Sequence, residues 1–473
     1  MSNYDAVVVG SGPNGLAAAI TLARAGQKVL VLEAKDTIGG GTRTAEITLP
    51  GFRHDICSAI HPLGVASPFF RSLPLAEFGL EWIHPPVALA HPLEDGRAAV
   101  LTRSLEESAA SLGVDSRAYQ RLMAPLVDSW QAILDDILGP FPLPPKHPFA
   151  LSRIGLLALR SARGLAESRF RDEPARALLA GLAGHGMLPI EEITTSSIAL
   201  VLGMLAHAVG WPIPKGGSQA ISNAMVAYLE TLGGEIITGQ EVTSLDELPE
   251  SGSVLLDVTP RQLLKIGGKR LPSGYRQQLE KYRYGPGVCK VDYALSDPIP
   301  WKSAACKRAG TVHLGGTLDE ISASEKTIWS GQFTEKPLVL LAQPSLFDDS
   351  RAPAGDHTAW AYCHVPHGSS QDVSQQITDQ IERFAPGFRD SILAKHVYTA
   401  SDLQTYNPNY VGGDINGGVQ DWRQLYTRPV IRWSPYSTPV KGLYICSSST
   451  PPGGGVHGMC GYHAAHRMLK DLG

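Results

Sequence analysis

A glycine-rich turn set between a short apolar strand and a helix limits how this chain can begin to fold. Tyr4 to Val9 reads as a strand, Gly10-Ser11-Gly12-Pro13-Asn14-Gly15 as the turn, Leu16 to Ala25 as a helix, and Lys28 to Leu32 as a second strand. Gly10 permits the tight turn, Gly12 lets backbone approach a diphosphate, and Gly15 lets the helix lie close on the sheet. The diphosphate then rests on the free N–H groups of the helix start. Glu33, at the end of the second strand, is placed to accept hydrogen bonds from ribose hydroxyls, and Gly26 suits the helix end. Pro13, Asn14 and Ala34 fall in the same expected site. The βαβ unit therefore predicts an ADP-containing cofactor.

The residues after Glu33 narrow the choice. Lys35 to Thr44 is a second glycine-rich loop, with Gly40, Gly41 and Thr42 leading to Arg43, an arginine able to neutralise diphosphate charge from the other side. Near the C-terminus strand, turn and helix recur: Gly442 to Cys446, Ser447 to Gly455, and Val456 to Leu469. In these segments the sequence resembles the flavin-dependent amine oxidase and phytoene desaturase superfamily. Gly40, Gly41, Thr42 and Arg43 match one of its motifs, and Gly453 to Gly458, with Gly461 and Ala464-Ala465, match another.

The resemblance implies non-covalent FAD. It puts the helix start at Gly455, Val456 and His457 against flavin O2 and N1, where the positive helix end stabilises the reduced ring. It also brings the backbone of Val242 to the adenine, and it runs the segment Phe52 to His61, with Ser58 and Ile60, past the isoalloxazine. Ser447-Ser448-Ser449 departs from the family pattern in the stretch where the resemblance implies a ribityl contact, at Ser448. The implied fold is α/β. A Rossmann-type FAD-binding domain is formed from residues 1–65, 210–285 and 425–473, and a discontinuous α+β substrate domain from 66–209 and 286–424.

Composition closes other routes. With 41 Lys plus Arg against 45 Asp plus Glu, the net charge of -4 offers no polybasic surface for nucleic acid. The longest apolar stretch, near Ile198 to Trp211, contains His207 and is too short to span a bilayer. Cysteines 57, 289, 306, 363, 446 and 460 form no C-x-x-C pair and no zinc spacing, so neither a metal site nor a dithiol centre is expected. Gly285-Pro286-Gly287 is followed by a strand, and Gly412-Gly413 lacks the strand-helix frame, so no second dinucleotide site is read. The strand beginning at once leaves no room for a signal peptide, and the cytoplasm is the expected compartment.

For chemistry, Lys290 lies on an apolar β pattern, Gly287 to Leu295, where an inward ammonium is costly. Amine oxidases carry a similar strand lysine that holds a water near flavin N5, which makes Lys290 the expected catalytic residue; an edge-strand lysine reaching solvent is the alternative. His185 and His207 read as core histidines, and His54, Cys57 and His61 as structural groups beside the flavin. Residues 151–171 hold Arg153, Arg160, Arg163, Arg169 and Arg171 against Glu167, a face that could dock on anionic lipid.

Trapping amines commonly uses an aromatic ring just before the last helix, where this chain has Gly453-Gly454-Gly455-Val456. The expected reaction is therefore dehydrogenation or isomerisation of a small apolar substrate, larger and more apolar than a free amine, with oxygen, a quinone or another carrier taking any electrons released. A flavin amine oxidase, a redox-neutral polyene isomerase, a nicotinamide-linked dehydrogenase and a non-enzymatic flavin scaffold are the alternatives.

Overall fold

The computed structural model describes residues 4–140 and 144–473. Its principal strands are, in chain order, β1 (Tyr4–Val9), β2 (Val29–Leu32), β3 (Val87–Pro92), β4 (Ala98–Leu101), β5 (Glu235–Ile237), β6 (Ser251–Leu256), β7 (Gly287–Leu295), β8 (Ala309–Leu314), β9 (Val339–Ala342), β10 (His357–Val365), β11 (Ile392–Tyr398) and β12 (Leu443–Ile445). Continuous valine and leucine runs such as Val7-Val8-Val9 and Val29 to Leu32 suit a parallel sheet covered on both faces. They form one, in the order β12-β6-β1-β2-β5, every pair parallel.

The period of two divides each strand between two cores. Ala6 and Val8 face the helices α1 (Pro13–Arg24), α2 (Gln219–Thr231) and α3 (Met459–Leu472), burying Leu16, Ile20, Met225 and Met468. Val7 and Val9 face the other way, onto Leu263, Ile266 and Tyr275. Helix α1 begins at Pro13, earlier than Leu16, because proline is preset for a first helical turn and gives up an N–H that would be unpaired anyway.

At the C-terminus the helix begins later than expected. Residues 456–458 are not helical; Gly458, at φ 68°, is the N-cap, and α3 starts at Met459. Helix α3 lies on α1 at Gly461, where an added Cβ would fall inside the Asn14 carbonyl. Glycine is required there by backbone contact.

A second sheet, β11-β7-β10-β9-β8-β3-β4, is antiparallel except for the parallel pair β8 and β3. One face is an apolar core containing Val291, Val312, Leu341 and Ala361, and the other carries Lys290, Asp292, Thr311, His313, Trp360 and Tyr362.

Residues 151–171 are not one helix but two, Pro148–Ala158 and Ala162–Arg169, the second capped by the Ser161 side chain. Arg163 is tied to Glu167, Glu191 and Asp319, whereas Phe149, Leu156 and Leu159 stand exposed. Among the described residues no helix is long and apolar enough to cross a membrane.

Candidate functional site

A cavity of about 630 Å³ runs between the two sheets. At one end it is walled by the turn after β1 and the end of β2, at the other by β8, β9 and β10. Of the residues expected at the cofactor, Gly10, Gly12, Pro13, Asn14, Glu33, Ala34, Gly40, Gly41, Arg43, Ser58, Ile60, Val242, Ser448, Gly455 and Val456 line it.

Four do not. Gly15 sits behind the turn, where a Cβ would strike the Gly10 carbonyl, which is the close helix-to-strand approach its position predicts. Thr42 is turned inward, donating to the Gly39 carbonyl at 2.8 Å and contacting the Ser222 hydroxyl at 2.5 Å. His457 is buried away from the cavity; its Nδ1 accepts the Met459 N–H at 3.0 Å, and burial lowers its pKa to about 4. The N–H at the start of α3 is therefore already capped by the protein, and Gly455 and Val456 reach the cavity as loop, not as helix. Lys290 is also absent from the wall.

The alternative in which Lys290 reaches solvent fails, since it is 2% exposed. Its Nζ pairs with Asp292, two residues along β7 and so on the same face. It lies 5.7 Å from the ring centroid of Trp360, which does line the cavity. Burial pushes the ammonium pKa down, while Asp292 opposes the shift; burial likewise raises Asp292 to about 6 against the pull of Lys290. His54 stands 3.6 Å from Asp292, but burial, Lys290 and Arg351 hold its pKa at about 3, so it is neutral. Lys290 thus belongs to a buried charge pair one layer behind the cavity.

The acid at the end of β2 is similarly engaged. Glu33 accepts from Ser11 N (3.0 Å) and Ser11 Oγ (2.5 Å) on one oxygen, and from Lys35 N (3.0 Å) and Arg43 Nη2 (2.9 Å) on the other. A ribose hydroxyl must share Glu33 with these donors. Arg43 also donates to the Thr37 carbonyl at 2.8 Å, which fixes its guanidinium beside the acid on the cavity wall.

Asp257, just past β6, was not singled out by sequence. Its Oδ2 accepts the Gly15 N–H at 2.9 Å, placing a carboxyl at the start of α1. Burial, with Glu33 adding to it, raises its pKa to about 7. His61 lines the cavity too. Ser218 gives its one hydroxyl proton to the Ser58 carbonyl (2.7 Å) and so accepts from His61 Nε2–H (2.8 Å), leaving His61 Nδ1 as a buried lone pair with no partner. His185, expected to be a plain core histidine, lines the cavity with its Nε2 3.0 Å from that of His313. His207 is the satisfied core histidine expected, bonded to Tyr119 and the Thr102 carbonyl.

These residues fit a flavin dinucleotide. Gly12, the N-cap of α1, has no side chain of its own to cap that helix end, where Asp257 takes only the Gly15 N–H. The side-chain oxygen of Asn14, in the first turn, is buried on the cavity wall without a partner. The cavity continues from this cradle into a chamber walled by Met187, Leu202, Trp211, Leu340 and Tyr362, and among the described residues no group of His, Cys, Asp or Glu is arranged to hold a metal.

Comparison with known proteins agrees with this geometry. Residues 8–73 match the family described as NAD(P)-binding Rossmann-like domain. The chain is 29% identical to pyridine nucleotide-disulfide oxidoreductase domain-containing protein 2 of Mus musculus, over 99% of this chain and 94% of that one. It is 23% identical to the carotenoid 3,4-desaturase of Haloarcula japonica (100% and 99% covered) and 24% identical to the lycopene-forming phytoene desaturase of Pseudescherichia vulneris (98% and 99%). Among solved structures it is similar in fold to an oxidoreductase from Methanosarcina mazei (TM-score 0.66, 17% identity, 98% and 99% covered). It also resembles putrescine oxidase (TM-score 0.62, 19% identity, 99% and 98% covered). By sequence and fold together, the chain is an oxidoreductase with a Rossmann-like nucleotide-binding domain, similar in sequence to the carotenoid desaturases and in fold to the amine oxidases.

Proposed function

We propose that the chain binds FAD non-covalently, with the ADP half over Gly10, Gly12 and Glu33 and the ring end toward Ile60 and Gly455, and that it dehydrogenates an apolar substrate held in the chamber beyond. The observation that best supports this is the continuity of one cavity from a dinucleotide cradle to an apolar chamber. The bound flavin would supply hydride acceptance. Met187, Leu202, Trp211 and Leu340 exclude water from the reacting carbon, and His61 Nδ1 offers a neutral acceptor on the same wall. Electrons would then pass to oxygen, a quinone or another carrier.

Aromatic rings in the chamber come from Trp211, Trp360, Tyr362 and Tyr410, none of them from the glycine-rich segment before α3. That supports the desaturase side of the superfamily over amine oxidation. Mass analysis of acid-released cofactor tests the first half of the proposal, which recovery of NAD or of no nucleotide would overturn. An anaerobic screen of apolar substrates, followed by flavin bleaching, tests the second; turnover without any acceptor would instead establish an isomerase.

A further inference from the structure

The cavity face of the second sheet carries an uneven row. Thr311 on β8 pairs in register with Ala342 on β9, and Ala342 with Trp360 on β10. All three line the cavity. Neighbouring strands lie about 4.8 Å apart, so Thr311 and Trp360 stand roughly 10 Å from each other with only a methyl group between them. The result is a slot floored by Ala342. Each flanking residue has a polar atom that is buried and has no hydrogen-bond partner, Thr311 Oγ1 and Trp360 Nε1. Buried polar atoms are nearly always paired, and two left open on one row of a ligand cavity point to a ligand that completes them.

From this row we infer the class of substrate, an inference that rests on the proposed function: an otherwise apolar molecule bearing one uncharged carbonyl or hydroxyl oxygen, which seats in the slot over Ala342. Trp360 Nε1–H can only donate, so its partner must own a lone pair. An alkylammonium has none, and it would also approach the buried Lys290 cation, whose Nζ is 5.7 Å from the Trp360 ring centroid. A pure hydrocarbon leaves both atoms unpaired at a desolvation cost. A carbonyl oxygen has a lone pair for each donor, and a hydroxyl has a lone pair for Trp360 and a proton or lone pair for Thr311. The small residue between them admits that head group, and Met187, Leu340 and Tyr362 receive the apolar remainder.

The test is a titration of the FAD-loaded protein with nonan-2-one, nonan-2-ol, nonane and nonylammonium, read by perturbation of flavin absorbance. The ketone and the alcohol should bind at least about tenfold tighter than the other two, and Thr311→Val and Trp360→Phe should each weaken the ketone about fivefold, the loss of one neutral hydrogen bond. Ala342→Leu should fill the slot and abolish the preference. FAD content should be unchanged in all three variants. Equal affinity for nonane or nonylammonium, unchanged ketone affinity in the variants, or loss of FAD from Thr311→Val or Trp360→Phe would overturn the assignment, the last because the row would then serve the cofactor. Protein isolated without flavin would overturn the proposed function instead, and the same titration read from intrinsic tryptophan fluorescence would then decide the row.

Discussion

The Asp257 carboxyl accepts the Gly15 backbone N–H at 2.9 Å, so an acid occupies the helix start where the dinucleotide diphosphate is proposed to rest. Its pKa is raised to about 7, chiefly by burial. A raised carboxyl pKa means that the folded protein holds its proton more tightly than the unfolded chain. This contribution to stability is full below the ordinary value of 3.8 and is lost as pH rises through about 7. FAD affinity should fall over the same upper limb, as a carboxylate appears beside the diphosphate. Asp257→Asn keeps the acceptor and removes the charge. Its FAD dissociation constant, measured from pH 5 to 9, should lack the rise expected of wild type near pH 7.

Glu33 anchors both the turn after β1 and Arg43, so Glu33→Ala removes charge-assisted hydrogen bonds worth about 1.5–3 kcal/mol each. FAD should dissociate at least about tenfold more readily. Equilibrium dialysis of FAD checks this, and unchanged retention would exclude Glu33 from the ribose site.

Lys290→Met leaves Asp292 buried without its cation, which typically costs about 3–5 kcal/mol. The double variant Lys290→Met with Asp292→Leu should recover much of that loss, since replacing a whole buried pair with apolar groups is often neutral. Chemical denaturation of the three proteins gives the comparison. Full stability in the single variant would mean the pair is not formed.

Gly461→Ala forces a methyl group into the Asn14 carbonyl and should separate α3 from α1. A cost of about 3 kcal/mol is expected for such overpacking, together with FAD loss, because Asn14 lines the cradle. Thermal unfolding with and without added FAD reads both effects.

Phe149, Leu156 and Leu159 are 84%, 80% and 61% exposed beside Arg153 and Arg160, an arrangement suited to an anionic lipid surface. Sedimentation with vesicles rich in phosphatidylserine should capture the protein, and Phe149→Glu with Leu156→Glu should release it. Equal capture by neutral vesicles would remove the arginines from the account.

Sequence was most informative where structure is local. The turn from Gly10 to Gly15 and the acid Glu33 lie within one βαβ unit, whose spacing alone predicts the close approach at Gly15 and brings Gly10, Gly12 and Glu33 to the cavity. The start of α3 was misplaced because the motif Gly453 to Gly458 does not show that His457 turns back to cap Met459. Lys290 was correctly read as buried, yet Asp292, two residues away on the same strand face, was overlooked as its partner. Thr311 and Trp360 could not have been joined from sequence, because only strand register brings them to either side of Ala342.

The central strand of the first sheet also sets an order of assembly. β1 is made first, but its neighbour β6 arrives only at residue 251, and β12, which closes that edge, at residue 443. Helix α3, locked on α1 through Gly461, comes later still. During synthesis the glycine turn must therefore wait with one flank bare until distant segments arrive. The proposed flavin site should be the last part of this protein to mature, and chains truncated before α3 should not take up FAD.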